Sequence, residues 1–121
     1  MDNRKILNRE FILQVEKIKP GLAERILEIF LGHAPGRFLD CQKSIASGDW
    51  HGVENATHIL RSSAGQLGAE KLQDICDHLG KAAETGLGSE VSALAAEFAS
   101  VYAETMDAMR QERSVWTPHE G

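Results

Sequence analysis

At 121 residues the chain has the length of one domain, and such a domain buries roughly two thirds of its unfolded surface without disulfides or metal ions. A net charge of −5 argues against a nucleic-acid-binding protein, because no basic stripe is present to displace the counterions of a phosphate backbone. No apolar run approaches the ~20 residues that cross a bilayer, and the charged N-terminus shows no signal peptide, so we expect a cytoplasmic protein without membrane contact.

The hydrophobic composition favours helices over strands. Hydrophobic residues make up 42% of the chain, mostly as Leu, Ile and Ala, and aromatic residues make up only 6%. The alternation of apolar and polar residues that marks a half-buried strand is absent. Cys41 and Cys76 fall on predicted apolar stripes without metal-type spacing, which indicates buried free thiols rather than a disulfide.

The first predicted helix follows Asn8, whose side chain suits an N-cap, and it ends at residues 19–21. Its apolar stripe consists of Phe11, Val15 and Ile18.

The next helical pattern has two apolar stripes, which are rotated by about 120° from each other on an ideal helical wheel. Gly32, Pro35 and Gly36 lie at the break, where a kink would bring both stripes to one core. The sequence leaves open whether this segment is one bent helix or two. The stripes consist of Leu22, Ile26, Ile29, Phe30 and His33, and of Ala34, Phe38, Cys41 and Ile45.

Three further helices follow at short intervals. Gly48 ends the preceding pattern, and Asp49 suits the N-cap of a third helix from Trp50 to Leu67 with Gly68 as its left-handed terminator. The fourth helix has an apolar face of Leu72, Ile75, Cys76, Leu79 and Ala83.

A turn at residues 86–89, with Ser89 as a cap, leads into the fifth helix. The end of the chain is polar and contains a proline, so we assign residues 1–113 to the folded domain and residues 114–121 to a flexible tail. The apolar face of the fifth helix consists of Val91, Leu94, Ala95, Phe98, Tyr102, Thr105 and Met109.

Short connections between amphipathic helices favour antiparallel neighbours. The sequence therefore predicts an all-α fold, an antiparallel up-down four-helix bundle, with the short extra N-terminal helix covering one end.

His58 lies on the outer face of the third helix. On the helical wheel it points about 140° away from Val53, which belongs to an apolar stripe with Ala56, Thr57, Leu60, Ala64 and Leu67. Its neighbours on the outer face, one or two turns away, are mostly short: Glu54, Asn55, Arg61, Ser62 and Gly65. An exposed imidazole among short side chains, with one guanidinium in reach, is a nucleophile that the flat surface of another protein can approach.

The run from His58 to Ala69 resembles the signature of histidine-containing phosphotransfer (HPt) domains, in which the histidine is followed by x-Leu-Lys-Gly-Ser and then by a Leu-Gly-Ala helix end. The turn at residues 48–50 and the apolar face of the fourth helix also fit this family, so the resemblance covers residues 8–112. Three positions depart from the family pattern: Arg61 replaces Lys, Ser62 replaces Gly, and Thr57 replaces Ala.

The resemblance implies the same bundle and a function in a phosphorelay. His58 would accept a phosphoryl group from the aspartate of a receiver domain and pass it to the aspartate of a response regulator. Arg61 would pair with the phosphoryl oxygens. Glu54, Asn55, Ser62, Gly65 and Gln66 would contact the partner, with Gln66 also orienting the ring or a water. Ser62 would add bulk that slows transfer or alters partner choice.

The chain itself has no Gly-rich nucleotide loop, no Walker-type lysine and no candidate carboxylate cage for Mg²⁺. We therefore expect a phosphocarrier that is not an enzyme and has no cofactor of its own, with the Mg²⁺ supplied by the receiver domain.

Two alternatives stay open. The first is an HPt-fold interaction module that regulates a partner by docking, with little or no phosphotransfer. The second is a metal site formed by His51 and His58. Among the other histidines, we expect His33 in the core or at its boundary, and His51, His78 and His119 in solvent. The chain would be a monomer, either free-standing or the C-terminal domain of a hybrid sensor histidine kinase.

Overall fold

The computed structural model describes residues 4–116, and all regular structure in that range is helical. The helices are α1 (Arg9–Ile18), α2 (Leu22–Ser47), α3 (Trp50–Gln66), α4 (Glu70–Glu84) and α5 (Gly88–Trp116). Helices α2 to α5 form a ring in which each packs against the next, and α5 closes against α2 without contacts across the diagonals of the described bundle. The predicted all-α four-helix bundle with an extra N-terminal helix is confirmed. No helix between residues 4 and 116 has the length and apolar character to cross a bilayer.

The second helical pattern forms one helix, with Pro35 inside it. Its buried residues are spaced so that Ala23 and Phe30, and Leu27, Ala34 and Cys41, repeat every seventh position. A seven-residue repeat keeps one face turned toward nearly parallel neighbours, so the two halves need no rotation about a break. Placing Ile29 on the inner stripe was wrong, because its side chain is 55% exposed.

Local sequence signals delimit α3 as predicted. Gly48 (φ 72°) and Gly68 (φ 68°) both have the left-handed conformation that favours glycine. Asp49 is the N-cap, since its Oδ1 accepts a hydrogen bond from the amide of Gly52 at 3.0 Å. This bond satisfies one of the backbone donors that the first turn of α3 leaves unpaired.

We expect Asp49→Ala to lower the free energy of unfolding by about 1 kcal/mol, because the first turn of α3 loses its side-chain acceptor. The measurement is urea denaturation followed by circular dichroism. Asp40→Ala is the matched control, because Asp40 is an exposed carboxylate within α2 that caps no helix and forms an ion pair with Arg37 at 3.6 Å. Equal destabilisation by the two substitutions would contradict the capping role.

Two polar contacts tie the start of the N-terminal helix to the bundle. Asn8 caps it as predicted, and the amide of Asn8 also donates to the carbonyl of Gly68 at 2.8 Å. At the same end of the bundle, Arg9 donates to the carboxylate of Glu112 on α5. The predicted inner stripe was wrong: Ile12 is fully buried, whereas Phe11 and Ile18 are 37% and 78% exposed.

Two boundaries of α5 differ from the prediction. The helix begins at Gly88, so Ser89 lies within its first turn and is not the cap. It continues to Trp116, whose indole Nε1 donates to Glu112 Oε1 at 3.0 Å. The folded domain therefore extends beyond residue 113. Residues 117–121, which include His119, lie outside the described residues.

The core contains both cysteines. Cys41 and Cys76 are buried free thiols, as predicted. Burial raises the pKa of each thiol to about 12, so both remain protonated and unreactive at neutral pH.

Candidate functional site

The inner face of α3 fixes the direction of His58. Val53, Thr57 and Leu60 are buried, as are the other predicted members of this stripe, whereas His58 is exposed. Because α3 is anchored along its inner face, the imidazole projects from the bundle with little freedom to turn inward.

His58 borders a groove of about 410 Å³ between α3 and α4. From the predicted site, Glu54, Asn55 and Arg61 line the same groove. Sequence reasoning missed the other side of the groove, which α4 supplies. The groove is lined by His51, Glu54, Asn55, Thr57, His58 and Arg61 of α3 and by Cys76, Asp77, Gly80, Lys81 and Glu84 of α4.

A close contact between the two helices forms the floor of the groove. A Cβ atom at Gly80 would lie 2.9 Å from Thr57 Oγ1, so only glycine fits there without a shift of the neighbouring atoms. The Thr57 hydroxyl donates to the carbonyl of Val53 at 2.8 Å, which satisfies it within α3. These two small residues let α4 approach α3 beside His58, and this brings the side chains of α4 to the histidine.

Arg61 is paired with a carboxylate of α4. Arg61 Nη1 donates to Asp77 Oδ1 at 2.9 Å, and Lys81 Nζ lies 3.0 Å from Asp77 Oδ2. The Asp77–Lys81 pair is visible in the sequence as an i,i+4 spacing. The proximity of this pair to His58 is not visible in the sequence, because that proximity depends on which side of α4 meets α3.

The hydrogen bond from Lys81, with further help from Arg61, holds the pKa of the Asp77 carboxyl below its ordinary value. The carboxylate is therefore ionised at neutral pH. A lowered pKa in the folded state means that this group stabilises the protein above its ordinary pKa, and the stabilisation is lost as the pH falls through the lowered value.

We expect Lys81→Met to raise the pKa of Asp77 toward its ordinary value, because the largest stabilising hydrogen bond to the carboxylate is removed. Carboxyl ¹³C chemical shifts measured across an acid titration report this pKa directly. Lys71→Met, on the same helix, serves as the control. An Asp77 titration that is the same in wild type and Lys81→Met would contradict the role of the lysine.

Three other predicted contact residues do not line the groove. Ser62 is exposed and lines a neighbouring depression, which shares Arg61 and Asp77 with the groove and also includes Gln73 and Asp74. Gly65 faces α4, where an added Cβ atom would lie 2.8 Å from Gln73 Nε2.

Gln66 lines a third depression, together with Ile29 and His33. It is eight positions beyond His58, or about 12 Å along the helix axis. The interpretation that Gln66 orients the imidazole ring is therefore wrong, because its side chain belongs to a different surface.

The other described histidines have ordinary environments. His33 is half-buried, with its ring edge-on to Phe30 at 5.7 Å. His78 is 55% exposed, and its Nδ1 lies 3.7 Å from Asp74 Oδ2. His51 is exposed at the groove. Within residues 4–116 no group of three or more His, Cys, Asp or Glu side chains is arranged to hold a metal ion.

Comparison with known proteins identifies the family. The Hpt domain family model matches residues 25–112, most of the chain. The chain therefore belongs to the Hpt domain family, whose members are phosphotransfer intermediates of phosphorelays. Such domains interact with receiver domains and carry phosphoryl groups without being kinases. No curated protein sequence matches the chain.

Two solved structures share the fold. Histidine-containing phosphotransfer protein B (HptB) from Pseudomonas aeruginosa PAO1 superposes with a TM-score of 0.84 at 18% identity, covering 93% of this chain and 97% of that one. The HPT domain from a hybrid histidine kinase of Shewanella gives a TM-score of 0.82 at 18% identity, with the same coverage.

Proposed function

We propose that His58 is the residue that takes the phosphoryl group, accepting it from the aspartyl phosphate of one receiver domain and passing it to the aspartate of another. The observation that carries this proposal is the exposed imidazole at a groove that also holds the guanidinium of Arg61 and the ammonium of Lys81. In an Hpt domain, a nucleophile beside two cations is suited to bind and release a phosphoryl anion.

The transfer needs one bond to form as another breaks. A ring nitrogen of His58 attacks phosphorus with its lone pair, the P–O bond of the aspartyl phosphate breaks, and the receiver carboxylate leaves with the electron pair. The product is a phosphoramidate with a P–N bond, and the reverse step transfers the group to the next carboxylate. Arg61 and Lys81 face the charge that the phosphoryl oxygens carry throughout.

The partner must supply the remaining parts of the reaction. Phosphoryl transfer generally uses a cation such as Mg²⁺ to neutralise charge, and the described residues offer no donor cluster for one. We therefore assign the Mg²⁺ to the receiver domain. Glu54 and Asn55 lie one turn before His58 on α3 and line the same groove, and we propose that they contact the docked receiver. Ser62 and Gly65 lie one to two turns further along α3 and extend that contact.

We place the exchange in the cytoplasm, with this chain acting as a monomer. It would serve either as a free-standing carrier or as the C-terminal domain of a hybrid sensor kinase. The similarity to one structure of a phosphotransfer protein and to one of an HPT domain from a hybrid histidine kinase supports the two arrangements equally.

The test is transfer from a receiver domain that carries ³²P on its aspartate. We expect label to move to this protein and to show the stability of a phosphohistidine, which is lost in acid and retained in base. If several receivers bind the protein without transferring label, the carrier function is refuted and the chain is an interaction module. Binding that is unchanged in His58→Ala would accompany that outcome.

A further inference from the structure

One carboxylate holds both cations of the groove. The two oxygens of Asp77 take one cation each, with Arg61 Nη1 at 2.9 Å and Lys81 Nζ at 3.0 Å. All three side chains line the groove that His58 borders. The Arg61 and Lys81 side chains are still 42% and 70% exposed, so neither ion pair is strong and each cation can turn to another anion.

A phosphoryl group on His58 would be such an anion. It carries about two negative charges and three acceptor oxygens, so it would compete with Asp77 for the same guanidinium and ammonium. It would also be repelled by the carboxylate itself, which lies at the same groove. Asp77 and the phosphoryl group therefore act in opposite directions on one pair of cations.

We propose that Asp77 is a positioning residue of the phosphohistidine site, which holds Arg61 and Lys81 at the groove while His58 is unmodified and limits how strongly the phosphoryl group is then retained. The inference rests on the function proposed above and deepens it. Lys81 is the second phosphoryl-binding cation, and α4 supplies it.

The sign of the effect distinguishes this role from a structural one. In the unmodified protein the Asp77 charge is neutralised by two partners, whereas in the phosphorylated protein it has lost them in part and faces an anion. Neutralising Asp77 should therefore shift the transfer equilibrium toward phosphohistidine, and neutralising Lys81 should shift it away. If Asp77 served only to brace α3 against α4, both substitutions would reduce phosphohistidine.

The first measurement is the equilibrium distribution of ³²P between a receiver domain and this protein at a fixed ratio. Relative to the wild type, we expect Asp77→Asn to shift the equilibrium constant toward this protein by about 3- to 10-fold. Lys81→Met alone should shift it toward the receiver by a similar factor. In the Asp77→Asn/Lys81→Met double variant the gain should shrink, because one of the two contested cations is gone.

Asp74→Asn is the matched control. Asp74 lies one turn before Asp77 on α4 and is an ion-paired carboxylate, with Arg4 and His78 as partners. It lines the neighbouring depression and not the groove of His58. We expect its equilibrium constant to stay within about twofold of that of the wild type.

A second readout is independent of the receiver. In the phosphorylated protein, the ³¹P resonance follows the pKa of the phosphoryl group, which nearby negative charge raises and nearby positive charge lowers. We expect Asp77→Asn to lower this pKa and Lys81→Met to raise it. The other titratable groups that line the groove, Glu54, Glu84, His51 and the buried thiol of Cys76, are the same in all variants, so the differences report on residues 77 and 81.

The outcomes separate the inference from the proposed function. The inference alone is overturned if wild-type His58 is labelled but the equilibrium constant of Asp77→Asn is equal to or lower than that of Asp74→Asn. A wild-type protein that takes no label, or that is labelled equally in His58→Gln, overturns the proposed function and the inference with it. The inference is established if Asp77→Asn shifts the transfer equilibrium toward phosphohistidine and Lys81→Met shifts it away.

Discussion

His58→Gln is expected to reduce acid-labile labelling by roughly a thousandfold or more, to below detection, when a phosphorylated receiver is the donor. Glutamine has a side chain of similar reach, but its amide nitrogen has no free lone pair with which to attack phosphorus. His58 is exposed on α3, and its neighbours in the core belong to the opposite face of the helix. The substitution should therefore leave the fold intact, which circular dichroism can verify.

Two further histidine variants make the result specific. His78→Gln should be labelled like the wild type, because His78 is paired with Asp74 on α4 and lines no part of the groove. His51 does line the groove and is the competing acceptor. If label persisted in His58→Gln and disappeared in His51→Gln, the phosphoryl group would be assigned to His51 and our assignment would be wrong.

The largest expected effect on stability comes from truncating Leu60, which lies two positions after His58 on the buried face of α3. Leu60 is fully buried, so Leu60→Ala removes apolar contacts and leaves a cavity in the centre of the bundle. We expect the free energy of unfolding to fall by about 3 kcal/mol and Tm to fall by roughly 10–15 °C. Urea and thermal denaturation measure the two quantities.

Ile29→Ala is the control for this substitution. Ile29 is 55% exposed on α2, so its truncation should change the free energy of unfolding by no more than about 0.5 kcal/mol. Below its Tm, Leu60→Ala should still accept label, because His58 is positioned by the backbone of α3. A folded Leu60→Ala protein without label would show that core packing at this position also controls the imidazole.

The sequence was sufficient wherever the deciding interactions are local. The Asp49 cap reaches an amide only three residues away, and left-handed glycines mark both ends of α3. The apolar faces of α3 and α4 were also predicted correctly, because helical periodicity places their residues on one side whatever they pack against. These features were enough to predict the bundle, and they placed His58 in solvent.

The end of the fifth helix was predicted wrongly, although the sequence contains a signal for its extension. Glu112 is only 7% exposed, and it continues the inner stripe of α5 at the spacing of Thr105 and Met109. A carboxylate on an apolar stripe requires partners. Here they are Arg9, more than a hundred positions away, and Trp116. The same contacts explain why the fifth helix extends past residue 113.

By itself, then, the sequence determined the helices, their caps and the exposure of one histidine, because hydrogen bonds within a few residues and a repeating apolar face decide these. Only the tertiary structure decided what stands beside that histidine. Arg61 and Asp77 are 16 positions apart, on different helices, and their contact depends on the rotation of α4 about its axis and on the close approach that Gly80 permits. Such a contact is fixed by the packing of the whole bundle, and no local pattern in the chain specifies it.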